Sequence, residues 1–249
     1  QELGRIHSRE QVFEAVAAAR EAGFDNLSLD LMYGLPGQTL VQWQETLEEA
    51  VALGVEHISA YSLKLEEGTR FFTRWEAGEL CPCDEDLEAD MYEAAIAYLT
   101  GQGYEHYEIS NFSRPGKNCR HNLTYWTLQP YLGLGPAAHS FYNTRRWSNT
   151  PNLQEYLEQV AGGNRPLAED NIVSPADLMG EYMFLGLRLL RKGVSRHEFA
   201  SMFGRELDSV FGPELERLLK LDLLQQKGNI LLLTPKAIPV ANEIFACFI

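Results

Sequence analysis

The order helix, strand, helix, strand over residues 8–63 constrains the fold of this chain most strongly. Two nearly continuous apolar runs, Asn26–Tyr33 and His57–Leu63, have the composition of strands that are buried on both faces of a sheet. Each run follows a stretch in which apolar residues recur at helical spacing, and the connections are short. Two capping boxes mark the helix starts, Ser8 with Gln11 and Thr39 with Gln42. This alternation predicts an α/β protein with a parallel sheet.

A short helix is predicted at residues 70–78, and a longer helix and a third strand follow at residues 84–101 and 104–109. The segment Tyr107–Ser140 that follows is rich in Gly, Pro, Trp, Tyr and His and has no helical or strand periodicity. Tyr and Trp need partners for their polar groups when they are buried. Long irregular segments inside compact domains usually have a functional role. We therefore expect functional residues to cluster in this segment.

A second domain is predicted to begin after residue 163. The stretch Ala161–Pro166 is rich in Gly, Pro and polar residues, which gives predicted domains of 1–163 and 164–249. The predicted elements of the second domain are helices from Ser174, Ser195 and Pro213, a strand at 230–233 and a final helix Lys236–Phe248. Helices followed by a small β element resemble a small, mostly helical winged-helix domain.

The net charge of −14 argues against general binding to nucleic acid, although winged helices often bind DNA. The predicted helix from Pro213 has no excess of basic residues, which favours a structural module. No apolar run approaches the roughly 20 residues that cross a bilayer. Four cysteines without a disulfide framework indicate a reducing cytoplasm.

Two features leave a functional and a structural interpretation open. Asp30 interrupts an apolar strand, where a carboxylate is costly unless it is paired. It either binds a ligand at the carboxyl end of the strand or points to solvent. Cys81 and Cys83 form a Cys-x-Cys pair, but no cluster of further Cys or His completes a tetrahedral metal site. Two ordinary loop thiols are the favoured interpretation of that pair.

Six motifs follow one another along the chain: LGRIH at 3–7, DLMYGLPGQT at 30–39, ISAY at 58–61, EISNF at 108–112, HNLTYW at 121–126 and YLGLGPAAHS at 131–140. Together they resemble the oxygen-independent coproporphyrinogen III oxidase-like family of radical SAM proteins, and more closely its heme-chaperone branch. The resemblance covers essentially the whole chain, and residues Glu181–Phe248 resemble the family's C-terminal domain.

The resemblance implies a partial (β/α) barrel that holds a [4Fe–4S] cluster and S-adenosylmethionine (SAM). The family's Cys-x3-Cys-x2-Cys cluster motif has no counterpart here, because Cys81 and Cys83 have neither its position nor its spacing. The family's Gly-rich SAM-binding strand and its SAM-binding Glu and Gln are also missing. We therefore expect this chain to be the C-terminal part of such a barrel, without its first βα units. Whether the chain alone is an enzyme is left open.

The resemblance assigns four residues to the SAM side of the site. Arg5 matches a family arginine that contacts the cofactor, and a guanidinium suits a carboxylate or a ribose oxygen. Asp30 matches the family's strand aspartate, which favours its interpretation as a ligand. Lys64 and His139 fall near positions that line the adenosine site, although the coproporphyrinogen-oxidising branch has a small residue at the position of Lys64.

The motif HNxxYW is associated, in the heme-chaperone branch, with heme binding. Under this resemblance His121 is the predicted ligand of the heme iron, and Tyr125 and Trp126 flank the macrocycle. The structural alternative is a surface or hydrogen-bonded His121 beside two ordinary core aromatic residues. A thiolate ligand from the Cys81-Pro82 pair has much weaker support.

Three hypotheses of function follow from these residues. The leading one is a heme chaperone of the radical SAM class, which binds heme and transfers it to membrane-associated acceptor proteins. The alternative is an oxygen-independent coproporphyrinogen III oxidase, which oxidatively decarboxylates propionates of its substrate to form protoporphyrinogen IX. The third is a degenerate barrel that binds neither SAM nor heme and uses its C-terminal domain to dock a partner.

Overall fold

The computed structural model describes residues 7–249, so the predicted SAM contact Arg5 lies outside the described residues. The chain forms two compact units, Gln1–Cys119 and Arg120–Ile249. Both units combine helices with strands, which confirms the predicted α/β class.

The first unit alternates helices and strands as the sequence predicts. Its elements are α1 (Arg9–Glu21), β1 (Ser28–Tyr33), α2 (Leu40–Ala52), β2 (His57–Ser62), α3 (Arg70–Glu76), α4 (Glu85–Gly101), β3 (Glu105–Glu108) and β4 (Asn111–Ser113). Both predicted capping boxes are present, at the starts of α1 and α2. They satisfy backbone N–H groups that have no partner within the helix.

The four strands of the first unit form one sheet in the order β1-β2-β4-β3. Strands β1 and β2 are parallel, as predicted, but β4 is antiparallel to both β2 and β3. Strand β4 lies in the segment that the sequence predicts to be irregular. Ile109 and Ser110 reverse the chain after β3, and the returning strand inserts between β3 and β2. The sheet is therefore mixed.

Trp43 on α2 anchors the helical side of this unit. Its side chain is fully buried, and its indole N–H donates to the carbonyl oxygen of Met91 on α4 at 2.8 Å. Its ring lies 5.4 Å from that of Tyr33 at the end of β1. One aromatic side chain thus joins two helices and a strand, and it satisfies its only polar group.

The second unit contains two further three-stranded sheets, with orders β5-β6-β7 and β8-β10-β9. Its elements are α5 (Arg120–Trp126), β5 (His139–Tyr142), β6 (Arg145–Asn149), α6 (Leu153–Ala161), β7 (Leu167–Ile172), α7 (Pro175–Leu187), β8 (Val194–Ser195), α8 (Arg196–Phe203), α9 (Leu207–Lys220), β9 (Leu224–Lys227), β10 (Ile230–Leu233) and α10 (Ala241–Phe245), with 3-10 turns at Pro235–Ala237 and Ala246–Phe248. Helices α7, α8 and α9 followed by the β9–β10 hairpin give the predicted winged-helix order.

The predicted boundary between domains 1–163 and 164–249 does not coincide with the division between the compact units. Strand β7, which follows residue 163, pairs along its length with β6, which precedes it. Residues on both sides of the predicted boundary therefore share one sheet. The Gly- and Pro-rich stretch between them is a turn after α6.

Two local predictions in the second unit have different outcomes. The sequence predicts a turn at Asn143-Thr144, in the middle of the extended residues 141–147, and this prediction is confirmed. Both residues have positive φ, of 48° and 63°, as a two-residue hairpin of the type I′ class requires. The predicted continuous helix Lys236–Phe248 is wrong, because the structure has a 3-10 turn, a break and a short α-helix there. Pro239 lies in the break, and proline cannot donate the backbone hydrogen bond that a continuous helix needs.

Within residues 7–249, none of the helices combines the length and the apolar composition that spanning a bilayer requires.

Gly193 provides a test of the second unit's packing. Its φ is +63°, and an added Cβ would clash with the carbonyl oxygen of Leu231 on β10. We expect Gly193→Ala to lower the free energy of unfolding by about 2–4 kcal/mol, from backbone strain plus overpacking. Gly204→Ala is the matched control, since its φ is +64° but no heavy atom lies within 4 Å of the added Cβ. Urea denaturation of both variants measures the difference, and equal losses would contradict the role of the Leu231 contact.

Candidate functional site

A row of four polar residues, one from each strand, runs across the sheet of the first unit. The strand register places Asp30 opposite Ser59, Ser59 opposite Asn111, and Asn111 opposite Glu108. Residues directly opposite each other in a ladder project from the same face of a sheet. Asp30 is exposed, whereas the other three side chains are buried. This row concentrates two carboxylates, an amide and a hydroxyl on one face.

Glu108 and Asn111 form the buried end of the row. The Glu108 carboxylate accepts hydrogen bonds from the Asn111 amide at 2.5 Å and from the Ser110 backbone N–H at 3.1 Å. The Oδ1 atom of Asn111 is buried and has no hydrogen-bond partner among the described residues. Both residues lie in the EISNF motif, residues 108–112.

His57 centres a hydrogen-bonded chain next to this row. Its Nδ1 lies 2.8 Å from Ser28 Oγ, and its Nε2 lies 2.8 Å from Tyr107 Oη. Tyr107 Oη also accepts a hydrogen bond from the Cys119 backbone N–H at 3.2 Å. Sequence reasoning misses this chain, since Tyr107 is 50 residues from His57 and no local pattern connects them.

Burial keeps this chain uncharged. It lowers the pKa of His57, although the nearby carboxylates of Asp30 and Glu108 oppose that shift. Burial also raises the pKa of Tyr107. A neutral imidazole accepts a hydrogen bond at one nitrogen and donates one at the other, so His57 can accept from the Tyr107 hydroxyl and donate to Ser28 Oγ. The arrangement suits orientation or proton transfer without a fixed charge.

Of the predicted SAM-side residues in the first unit, the two that the structure describes lie on β1 and just after β2. Asp30 is on β1, and Lys64 is exposed two residues after the end of β2. His139 opens β5 in the second unit, where it is exposed. The assignment of these residues to a SAM site stays a prediction.

The HNxxYW motif forms the short helix α5. His121 is exposed, and its Nε2 lies 3.0 Å from Tyr125 Oη, one helical turn away. The two rings are nearly perpendicular, with centroids 4.9 Å apart. Tyr125 in turn contacts Tyr131, with ring centroids 4.6 Å apart. An aromatic chain thus orients the imidazole. Its other nitrogen has no hydrogen-bond partner among the described residues and is available to a metal ion or a hydrogen-bond acceptor.

Tyr125 and Trp126 line different cavities of the second unit. Tyr125 lines a cavity of about 200 Å³ together with the ion pair between Arg146 and Glu181. Trp126 lines a larger cavity of about 510 Å³, and the Arg188 guanidinium lies 4.4 Å from its ring centroid. The prediction that both aromatic residues flank one heme stays untested, but their side chains face separate spaces.

The four cysteines are free thiols. Cys81 is exposed and Cys83 is partly buried, and burial near Glu88 raises the pKa of the Cys83 thiol. A raised pKa makes Cys83 a poorer thiolate ligand. Within residues 7–249, no group of three or more His, Cys, Asp or Glu side chains is placed to hold a metal ion. The described residues therefore do not fit a [4Fe–4S] cluster.

Comparisons with known proteins agree on one class. The HemN C-terminal domain family matches residues 173–240. Over 98% of this chain, the fold is similar to that of coproporphyrinogen III oxidase (HemN) from Escherichia coli, described as a radical SAM enzyme, with a TM-score of 0.80 and 21% identity. The chain covers 59% of that structure. The fold is therefore that of the HemN-type radical SAM proteins, represented by its C-terminal part.

Sequence relatives refine this class. The chain is 37% identical over 249 residues to the heme chaperone HemW of Bacillus subtilis, and 34% identical over 247 residues to that of Lactococcus lactis. It is also 33% identical over 220 residues to the mitochondrial radical S-adenosyl methionine domain-containing protein 1 of Danio rerio. The three alignments cover 100%, 99% and 84% of this chain, respectively. They span 65%, 64% and 49% of the respective relatives, so this chain covers less than two thirds of their length. The whole of this chain is therefore similar in sequence to part of the HemW proteins, and its residues 173–240 match the HemN C-terminal domain family.

The buried state of His57 predicts a pH dependence of stability. A lowered folded-state pKa means that the unfolded chain binds more protons below the ordinary histidine pKa of about 6.5, so stability falls as the pH drops through that value. We expect the free energy of unfolding to decrease between pH 7.5 and 5.5, and to decrease less in His57→Gln.

Urea denaturation at the two pH values measures this effect. His7→Gln is the control, because His7 is exposed, and it should retain the wild-type pH dependence. His106, whose pKa burial also lowers, accounts for a residual dependence in His57→Gln. An unchanged pH dependence in His57→Gln would refute the assignment to His57.

Proposed function

We propose that this chain is the heme-binding C-terminal part of a heme chaperone. Heme is the cargo of this protein, which passes it to heme-accepting proteins, including membrane-associated ones. The observation that carries the proposal is the α5 helix, which exposes an oriented imidazole beside aromatic rings. The similarity to proteins named heme chaperone HemW along the whole of this chain supports the same function.

His121 is better suited to a site that binds heme for transfer than to a site that holds heme permanently. A neutral imidazole is a usual axial ligand of heme iron. Its exposure lets an acceptor protein approach the bound heme, whereas a buried ligand would retain it. The contact with Tyr125 restricts the ring and so lowers the entropy that heme binding has to overcome.

SAM and the [4Fe–4S] cluster belong, in this proposal, to the full-length protein. The described residues do not include a set of side chains placed to bind the cluster. Asp30 presents an exposed carboxylate on the sheet face and can accept hydrogen bonds from a hydroxyl or an amine. Arg5, Lys64 and His139 are the other residues that we assign to the SAM side. We place this activity in the cytoplasm, where free cysteines such as the four in this chain remain reduced.

Replacing His121 tests the heme site. We expect His121→Ala to weaken hemin binding to the 249-residue chain by about tenfold or more, because even second-shell changes at metal sites typically cost about ten- to hundredfold. Tyr125→Phe, which removes the hydroxyl that orients His121, should have a smaller effect. Absorbance titration followed at the Soret band measures both affinities.

His7→Ala is the matched control, since it removes another exposed imidazole. Equal hemin affinity in wild-type protein and His121→Ala would refute the ligand assignment. If the full-length protein does not bind hemin but converts coproporphyrinogen III, the oxidase alternative replaces the chaperone.

Replacing Asp30 tests the SAM side. In the full-length protein, we expect Asp30→Asn to weaken SAM binding by about tenfold or more, because it removes the charge from a charge-assisted hydrogen bond. Asp25→Asn is the control, since Asp25 is an exposed carboxylate in the loop before β1. Equilibrium dialysis with SAM measures the affinities, and an unaffected Asp30→Asn variant would remove Asp30 from the site.

A further inference from the structure

The larger cavity of the second unit has no role in the function proposed so far. It measures about 510 Å³, which is within the usual range for ligand sites of about 300–1,000 Å³. Its lining comes from the end of α5, from α7, from the turn before β8 and from α8. All of these elements belong to the same compact unit.

Three hydrogen-bond donors around this cavity have no acceptor among the residues that the structure describes. Lys192 lies in the turn before β8, and its exposed ammonium group forms no ion pair there. The indole N–H of Trp126 is buried without a partner. His197 contributes the third donor through its backbone N–H, in the first turn of α8.

At the start of α8, the nearby acceptors bond the N–H groups on either side of His197 and not the His197 N–H itself. The Arg196 N–H donates to the carbonyl oxygen of Asn229, and the Glu198 N–H donates to the N-cap Ser195 Oγ. The intervening His197 N–H has neither partner. Backbone N–H groups at the N-terminus of a helix attract anions, and the helix dipole adds to this attraction.

Glu198 is the acidic residue of the cavity lining. Its carboxylate lies 3.3 Å from Tyr182 Oη, which donates to it. Lys192 and the imidazole of His197 therefore remain available to a ligand, whereas the carboxylate already has a partner. The polar part of the cavity is suited to an anion with several oxygen atoms.

The rest of the lining is apolar and includes a large flat ring. Leu189 and the half-exposed Met202 contribute aliphatic and thioether surface, and Trp126 contributes its indole. The methionine side chain is flexible and adapts to ligands of varied shape. The Arg188 guanidinium lies 4.4 Å from the Trp126 ring centroid and helps to hold that ring in place. The cavity thus combines anion-binding donors with a surface for a flat apolar body.

We propose that this cavity binds the carboxylate-bearing edge of a porphyrin ring. The choice of ligand class rests on the proposed heme-chaperone function, but the site is separate from the His121 imidazole and does not need iron. The propionate groups would accept hydrogen bonds from Lys192 and Trp126, and the ring would contact Met202 and Leu189. The HNxxYW helix then serves two sites, because Trp126 faces this cavity while Tyr125 and His121 contact each other elsewhere.

Metal-free protoporphyrin IX is the probe that separates the two sites, since it keeps the propionates and lacks the iron. We expect it to bind the 249-residue chain and to bind about tenfold more weakly to Lys192→Ala, which loses a charge-assisted hydrogen bond. Trp126→Phe should weaken binding less, because it keeps an aromatic ring and loses only the N–H. His121→Ala should leave the affinity for the metal-free porphyrin unchanged. Porphyrin fluorescence titration gives all four affinities.

Lys227→Ala is the matched control, because Lys227 is exposed on β9 and does not line the cavity. Wild-type affinity for protoporphyrin IX in Lys192→Ala, or loss in Lys227→Ala to the same extent, would overturn the cavity assignment. If protoporphyrin IX does not bind while hemin binds through His121, the chaperone function stands and this inference fails. If protoporphyrin IX binds in a Lys192-dependent way while hemin affinity is insensitive to His121, the cavity stands and the His121 ligand assignment fails.

Discussion

The register between β1, β2, β4 and β3 is the constraint on which the first unit depends. It aligns Asp30, Ser59, Asn111 and Glu108 in one row and leaves Ile58, Ala60 and Phe112 for the helical side, where they are buried. Because side chains alternate between faces, a slip of one residue would exchange the polar row and the apolar core. The slip would bring carboxylates against Trp43 and the helices, where a charge is costly, and it would break the hydrogen bonds of Glu108 with Asn111 and Ser110. Burial of the core therefore also fixes the position of the polar row.

Local patterns predict much of this fold, and long-range pairing accounts for most of what they miss. The capping boxes and the Asn143-Thr144 turn are correct because their chemistry is complete within a few residues. Strand β4 has only three residues, too few for periodicity, and its place between β2 and β3 depends on pairing across the chain. The contact of His121 with Tyr125 follows from their spacing of one helical turn, whereas that of His57 with Tyr107 is visible only in the folded sheet. Pro239 alone would have predicted the break in the final helix.

Helix α5 shows how a short motif can present neighbouring side chains to two different spaces. It has seven residues, and its consecutive aromatic residues Tyr125 and Trp126 line different spaces. The exposed His121 imidazole can exchange a metal-bound ligand quickly, and the cavity lined by Trp126 is a separate space with hydrogen-bond donors of its own. One short helix therefore contributes to two sites that can be occupied independently.

The close approach of Gly193 to β10 has a consequence for ligand binding. The turn that bears Lys192 lies against the Leu231 backbone, and the Gly193 N–H donates to the Leu189 carbonyl oxygen at 2.7 Å. The backbone around the cavity rim is thus fixed before any ligand arrives. A preorganised rim needs little ordering on binding, so more of the interaction energy with a carboxylate appears as affinity. Any adjustment of the rim to a ligand then falls to exposed side chains such as Lys192 and Met202, because the backbone beneath them is held in place.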